Sequence, residues 1–195
     1  MSRLIISVIY HSQSGHTKQL AAFLAKQLET NYTTVHLLDA QAATNNFELL
    51  HTSHLIVFGC PTYFGNIPAA FKKFMEATGS FWYKQSWKDK LAAAFTLSST
   101  TNGDKLNTLN SLFLFAAQHS MHWISLGVLP RYINDIQTDG QNRMGSYIGL
   151  MAQSENAMDK VLPLHPGDQL TAELFAARLL SVATQFNQIN LQPKN

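Results

Sequence analysis

Apolar and polar positions along this chain fall into two alternating patterns. The first apolar run, Leu4-Ile5-Ile6-Ser7-Val8-Ile9-Tyr10, is nearly continuous and reads as a buried strand. Helical spacing follows, with Leu20, Phe23, Leu24 and Leu28 on one face. Val35 to Leu38 predicts a second strand, Asp39 to Asn46 a loop, and Phe47 to Leu50 at most one helical turn. Leu55 to Gly59 is apolar throughout and predicts a third strand. A helix from about Pro68 to Ala77 is ended by Gly79, with Pro68 in the first turn, where its missing N–H costs nothing. An aromatic connection, Phe81 to Trp87, leads to a fourth strand at Leu91 to Leu97, a helix over roughly Asp104 to His119, and a fifth strand at Trp123 to Gly127. From Val128 to Gly167 the pattern loses its period, and a stretch of that length is functional or an assembly element. An amphipathic helix over Asp168 to Phe186 follows.

Strands alternating with helices predict an α/β fold, a doubly wound five-stranded parallel sheet with helices on both faces. An anion-binding loop after the first strand suggests the order 2-1-3-4-5, which gathers ligands at the carboxyl ends of the strands. The expected organisation is a single domain over residues 1–195 with a long connection at about 128–167.

Candidate chemistry then concentrates in three loops. The first holds Ser12, Gln13, Ser14, Gly15, His16 and Thr17 at a strand-to-helix junction. Free N–H groups, a positive dipole end and hydroxyls make a seat for an anion, and the loop itself carries no Lys or Arg before Thr17. The loop has neither the lysine of a nucleoside triphosphate loop nor the glycine spacing of a dinucleotide loop, so it suits a small phosphomonoester. The plainer alternative is a turn with Ser14 as N-cap and Gly15 for tight backbone. After the third strand come Pro61, Thr62, Tyr63, Phe64, Gly65 and Asn66, and after the fourth Thr96, Leu97, Ser98, Ser99, Thr100 and Thr101. A phosphate seat, an aromatic wall and a hydrogen-bonding rim at adjacent strand ends suit a flat heteroaromatic mononucleotide.

Composition narrows the choice. The charged share is 13% of 195 residues, low enough to suggest that part of the surface is covered by copies of the chain. A net charge of +2 without a basic cluster argues against nucleic acid. Cys60 is the single cysteine, which rules out an internal disulfide and suits a reducing compartment. No apolar run reaches transmembrane length and no secretory signal is visible, so a cytoplasmic protein without membrane insertion is expected. His11, His16, His119 and His122 lack a compact ligand spacing, so no metal is expected. No GxSxG elbow supports hydrolase chemistry.

Several motifs together resemble the WrbA-type NAD(P)H:quinone oxidoreductases of the flavodoxin-like superfamily. They are SQSGHT (Ser12 to Thr17), GCPTYFGN (Gly59 to Asn66), ATGSFW (Ala77 to Trp82), FTLSSTTNG (Phe95 to Gly103) and QHSM (Gln118 to Met121), in the family's order over about the first 150 residues. The resemblance implies a flavodoxin-like fold and FMN, its phosphate held by Ser12 to Thr17. Thr62, Tyr63 and Phe64 would line the flavin ring, and Thr96 to Thr101 would contact the ring and ribityl chain. His119, or its neighbour Gln118, would reach the flavin edge, and Trp82 would border the face where nicotinamide and quinone alternate. It also implies a homodimer or homotetramer. The chain departs from the family at Ser99-Thr100-Thr101-Asn102-Gly103, where a glycine-rich run is usual, and at Gln118-His119, where the family has adjacent histidines. The expected activity is two-electron transfer from NAD(P)H to a quinone-like substrate by a ping-pong mechanism, with His119 and Tyr147 as candidate proton donors. The rival readings are a flavodoxin-like electron carrier and a flavin-binding regulatory protein without efficient turnover. Such carriers are typically strongly acidic, and this chain is not.

Overall fold

The apolar runs become strands of one sheet, and their lengths set where its ligand-facing edge lies. The computed structural model describes residues 3–131, 140–154 and 161–190. The order of elements is β1 (Leu4–Tyr10), α1 (His16–Leu28), β2 (Thr33–Asp39), α2 (Ala40–Asn45), α3 (Phe47–Thr52), β3 (Leu55–Pro61), α4 (Ala69–Ala77), α5 (Gly79–Tyr83), β4 (Leu91–Ser98), α6 (Lys105–Gln118), β5 (His122–Trp123), β6 (Leu150–Gln153) and α7 (Pro166–Asn190). All strand pairings are parallel, in the order β2-β1-β3-β4-β5, with β6 also paired to β4. The doubly wound flavodoxin-like fold and its strand order are therefore as expected.

Both faces of the sheet are covered. On one, Leu20, Leu24 and Leu28 of α1 meet Phe175, Leu179 and Ala183 of α7 above β1 and β4. On the other, Phe71 and Phe74 of α4 and Leu112 and Phe115 of α6 pack with Trp87 over Phe58. β3 is buried along its whole length, as an apolar strand between two helical layers must be.

Three local expectations differ. Most of the expected loop at 39–46 is helix α2 (Ala40–Asn45): the Asp39 carboxylate accepts from the Ala42 N–H at 2.7 Å and caps it. The stop after α4 is Thr78, whose hydroxyl donates to the Met75 carbonyl at 2.7 Å, and Gly79 instead opens α5.

The third difference matters most. The expected fifth strand at Trp123 to Gly127 is cut short. β5 pairs only Leu91 and Ala92, after which Leu126 N–H turns to the Tyr147 carbonyl and Gly127 takes a positive φ of 64°. The vacated edge of β4 is filled by β6, which pairs Phe95 to Ser98. The sheet thus has six strands, two of them sharing one edge position. Asn142 holds the intervening chain together. It is buried at φ 47°, with Nδ2 donating to the Val128 and Ser146 carbonyls (2.7 and 2.8 Å) and Oδ1 accepting from Ser146 N–H (2.9 Å). The 128–167 connection also includes residues 132–139 and 155–160, which lie outside the described residues, so the expected single domain over 1–195 extends beyond them.

Candidate functional site

Strand register places three loops at one level. Tyr10 lies opposite Gly59, and Gly59 opposite Phe95, so β1, β3 and β4 run out together. The ladder continues into the loops: His11 N–H donates to the Gly59 carbonyl and Thr62 N–H to the Leu97 carbonyl, both at 2.9 Å. Between the loops lies a cavity of about 730 Å³. That is the scale of a cofactor site.

In the first loop Ser12 Oγ accepts from Gly15 N–H at 3.0 Å, which folds the chain back into α1. The N-cap is Gly15, not Ser14; its φ of 94° requires a residue without Cβ. Ser14 is thereby free to line the cavity, with His16 and Thr17. The first-turn N–H groups of α1 have no acceptor within the helix. His16 Nδ1 meets Ser14 Oγ at 3.0 Å, while its buried Nε2 has no partner among the described residues. Ser12, Gln13 and Gly15 shape the loop rather than line the cavity.

The second loop is a tight turn. Tyr63 and Asn66 exchange both backbone hydrogen bonds at 3.0 Å, and Phe64 and Gly65 between them have φ of 49° and 70°. A left-handed conformation is strained for a bulky residue. Here it holds the Phe64 ring fully exposed at the cavity lip. Pro61, Thr62, Tyr63 and Gly65 also line the cavity. Asn66 lies just outside, its side chain taken by Ile67 N–H at 2.8 Å.

From the third loop Leu97, Ser98, Ser99 and Thr100 line the cavity, and Thr101 does not. Thr96 is a correction: it is fully buried below the floor, donating to the Cys60 carbonyl (2.7 Å) and meeting Thr62 Oγ1 (2.8 Å), which in turn reaches Thr108 (2.9 Å). Three further residues line it: Gly103, the last of the FTLSSTTNG motif, and Asp104 and Ser154, which the sequence does not single out. Asp104 passed as an ordinary helix start, and Ser154 follows β6, a strand too short to show a period.

Three predicted residues lie elsewhere in this chain. α6 starts at the cavity and runs away from it, so His119, just past its end, stands roughly 20 Å distant at 1.5 Å per residue. Trp82, after α4, lies at that same far end, where Gln85 Nε2 bonds both the Trp82 and Gln118 carbonyls (2.8 and 3.4 Å). Tyr147 is exposed on the sheet edge, beside Leu126. His119 is 1% exposed. Because the Thr78 hydroxyl donates to Met75, it accepts from His119 Nε2–H at 3.0 Å, and burial pushes the imidazole pKa down to about 4. His11 and His16 sit at the cavity end, His119 and His122 at the opposite end, so the four histidines do not converge. Cys60 is buried, and burial raises its thiol pKa.

The donor set fits a phosphomonoester with a flat ring: free N–H groups and hydroxyls at α1, an exposed aromatic face at Phe64, and a polar rim at 98–100. Among the described residues no helix is long and apolar enough to cross a membrane.

Comparison with known proteins agrees. Residues 7–124 match the flavodoxin domain family. The chain is 33% identical over 181 residues to flavodoxin FldP of Pseudomonas aeruginosa, covering 92% of this chain and 97% of that one. It is 29% identical over 143 residues to the NAD(P)H quinone oxidoreductase YCP4 of Candida albicans, covering 63% of this chain and 49% of that one. The structure is similar to that of a WrbA-like flavodoxin from Agrobacterium tumefaciens, with a TM-score of 0.72, 35% identity, and 94% and 99% of the two chains covered. The chain belongs to the flavodoxin domain family, whose redox chemistry is that of bound flavin.

Proposed function

We propose that this chain is an FMN-dependent oxidoreductase that passes two electrons from NAD(P)H to a quinone or similar flat electrophile. The observation that carries the reading is Phe64. An apolar ring held fully exposed on a strained turn, beside a phosphate-type seat, is what a flat ring system would cover. FMN supplies the hydride-accepting and hydride-donating chemistry when bound. The chain's residues bind and orient: Ser14, Thr17 and the first-turn N–H groups of α1 hold the phosphate, Tyr63 and Phe64 flank the ring, and Ser98 to Thr100 meet its polar edge. One open face used by two planar substrates in turn gives ping-pong kinetics.

Within one chain, Trp82, His119 and Tyr147 do not line this cavity. In this reading Trp82 and Tyr147, both exposed, act only where a second copy brings them against it, in a homodimer or homotetramer, and the buried His119 takes part only through the hollow it lines with Trp82. Low charge and exposed Phe113, Leu114 and Trp82 support such an assembly. The lone buried thiol suits the cytoplasm.

The second reading is an electron carrier without turnover. Near full-length similarity to a flavodoxin favours it, and the net charge of +2 opposes it. One assay series separates them. Protein loaded with FMN is expected to release FMN, not FAD, and to reduce quinone with NAD(P)H, giving parallel double-reciprocal lines. Intersecting lines indicate two pockets. No turnover by fully loaded protein leaves the carrier reading, and no flavin uptake at micromolar FMN removes both.

A further inference from the structure

Behind the cavity wall lies a buried cation. Lys105, the first residue of α6, is 1% exposed. Its Nζ donates to Ser98 Oγ at 3.0 Å, the Thr100 carbonyl at 2.7 Å and the Thr101 carbonyl at 2.8 Å. Those three bonds use the three ammonium protons, and among the described residues no carboxylate receives one. The neighbouring acid, Asp168 on α7, is engaged elsewhere: Arg143 holds both its oxygens and Gln153 N–H takes one of them. Among the described residues this ammonium has no counter-ion of its own, and burying it so is costly. Burial lowers its pKa to about 8, with Asp168 opposing the shift and Arg143 adding to it. A charge retained against that cost, beside a ligand cavity, marks a functional position.

The bonds also set the direction of the loop's peptides. In a planar trans peptide the C=O and the following N–H point opposite ways. With the Thr100 and Thr101 carbonyls turned in to the ammonium, the N–H groups of Thr101 and Asn102 face the other side of the loop, and the cavity wall is left to Ser99, Thr100 and Gly103. Among the described residues, no backbone N–H from Ser99 to Gly103 has a backbone acceptor.

We propose that Lys105 is a positioning residue of the flavin site: it draws the Thr100 and Thr101 carbonyls inward, pins the loop so that the N–H groups of Ser99, Thr100 and Gly103 on the cavity wall stay free for the polar edge of the flavin, and sets a positive charge behind them that favours the electron-rich reduced ring. This rests on the FMN reading above. Among the described residues, the other charges facing this region are Asp104 on the cavity wall, Asp168 on α7 and Arg143 from the chain before β6.

The test compares parent, Lys105→Met, Lys105→Gln and Lys105→Arg, by flavin fluorescence titration and by dye-coupled redox titration of FMN-loaded protein from pH 6 to 10. Lys105→Met is expected to melt, as apoprotein, no lower than the parent and to bind oxidised FMN about tenfold more weakly. Reduced FMN is expected to lose a further factor of about ten, which lowers the two-electron midpoint by about 30 mV. Lys105→Gln, a donor without charge, regains oxidised-FMN affinity but keeps the low midpoint, and Lys105→Arg restores both. In the parent the plot of midpoint against pH bends at or above pH 8, and in Lys105→Met it does not. A Lys105→Met or Lys105→Gln protein that binds FMN with the parent's midpoint and pH profile overturns the role of Lys105. A parent that takes up no FMN overturns the flavin reading, and this inference with it.

Discussion

Arg143 holds Asp168 by both carboxylate oxygens, Nε to Oδ1 at 2.7 Å and Nη2 to Oδ2 at 2.9 Å, and the two side chains are 8% and 1% exposed. The pair ties the chain that precedes β6 to the first turn of α7. Through the bond from Gln153 N–H to Asp168 Oδ2 (2.9 Å) it also fixes β6 itself. Ser154 directly follows β6 and its N–H reaches the Ser98 carbonyl at 3.0 Å, and Gln153 Nε2 donates to the Ser99 carbonyl at 2.9 Å. The third loop of the cavity is thereby braced from outside the flavodoxin match at 7–124.

Asp168→Asn leaves the guanidinium buried without its counter-charge. Breaking a buried pair from one side costs about 3–5 kcal/mol, whereas replacing both partners by apolar groups costs far less. The urea midpoint of Asp168→Asn is expected to fall accordingly, and Arg143→Met/Asp168→Leu to recover most of the loss. Equal losses in the single and double variants would show that the pair is not coupled.

Thr17 lines the cavity from the first turn of α1 and is otherwise buried. Thr17→Val keeps the shape and removes the hydroxyl. A hydrogen bond to a charged group contributes about 1.5–3 kcal/mol, so FMN affinity should weaken by at least about tenfold. Fluorescence titration measures it, and an unchanged dissociation constant would move the phosphate elsewhere.

Gly59 sits in the middle of the sheet, and a Cβ there would collide with the ring of Phe95 on the adjacent strand. Gly59→Ala has no room to relax between two covered faces. Overpacking of this kind costs about 1–3 kcal/mol. Chemical denaturation of the apoprotein should show that loss, and Gly59→Ala/Phe95→Leu should regain part of it.

His119 gives a pH dependence whose sign is set by burial. Its folded pKa of about 4 lies below the unfolded value of about 6.5. The unfolded chain therefore binds the extra proton first as pH falls. The stability that the neutral imidazole contributes is complete above pH 6.5 and is lost as pH falls through 4, about 3 kcal/mol in all. Urea unfolding from pH 7 to 4 should show a steeper decline in the parent than in His119→Phe. Parallel curves would mean that the ring is not neutral in the fold.

The strands β1, β3 and β4 were legible because a strand covered on both faces must be apolar at almost every position, and few other structures make that demand. The three cavity loops were legible for a related reason. A parallel sheet puts successive strand ends together, so loops far apart in sequence are judged at once by their shared chemistry. β6 and Ser154 were not legible. Four residues with alternating burial carry too little period to stand out, and they form a strand only because β5 leaves the edge of β4 unpaired. That Trp82 and His119 stand at the far end of α6 from the cavity of their own chain was not legible either: motif order along a chain says nothing about which end of a helix faces a site.

The sequence by itself determined the layers, the strand order and the chemistry of the cavity rim, since each depends on local apolar period or on residue types within one loop. Only the tertiary structure decided that Phe64 stands exposed on a strained turn, that Asp168 pairs with Arg143, and that Lys105 lies under the third loop with no carboxylate of its own among the described residues. Those facts depend on groups that meet across separate elements, and their energies come from burial and from the partners that burial leaves available.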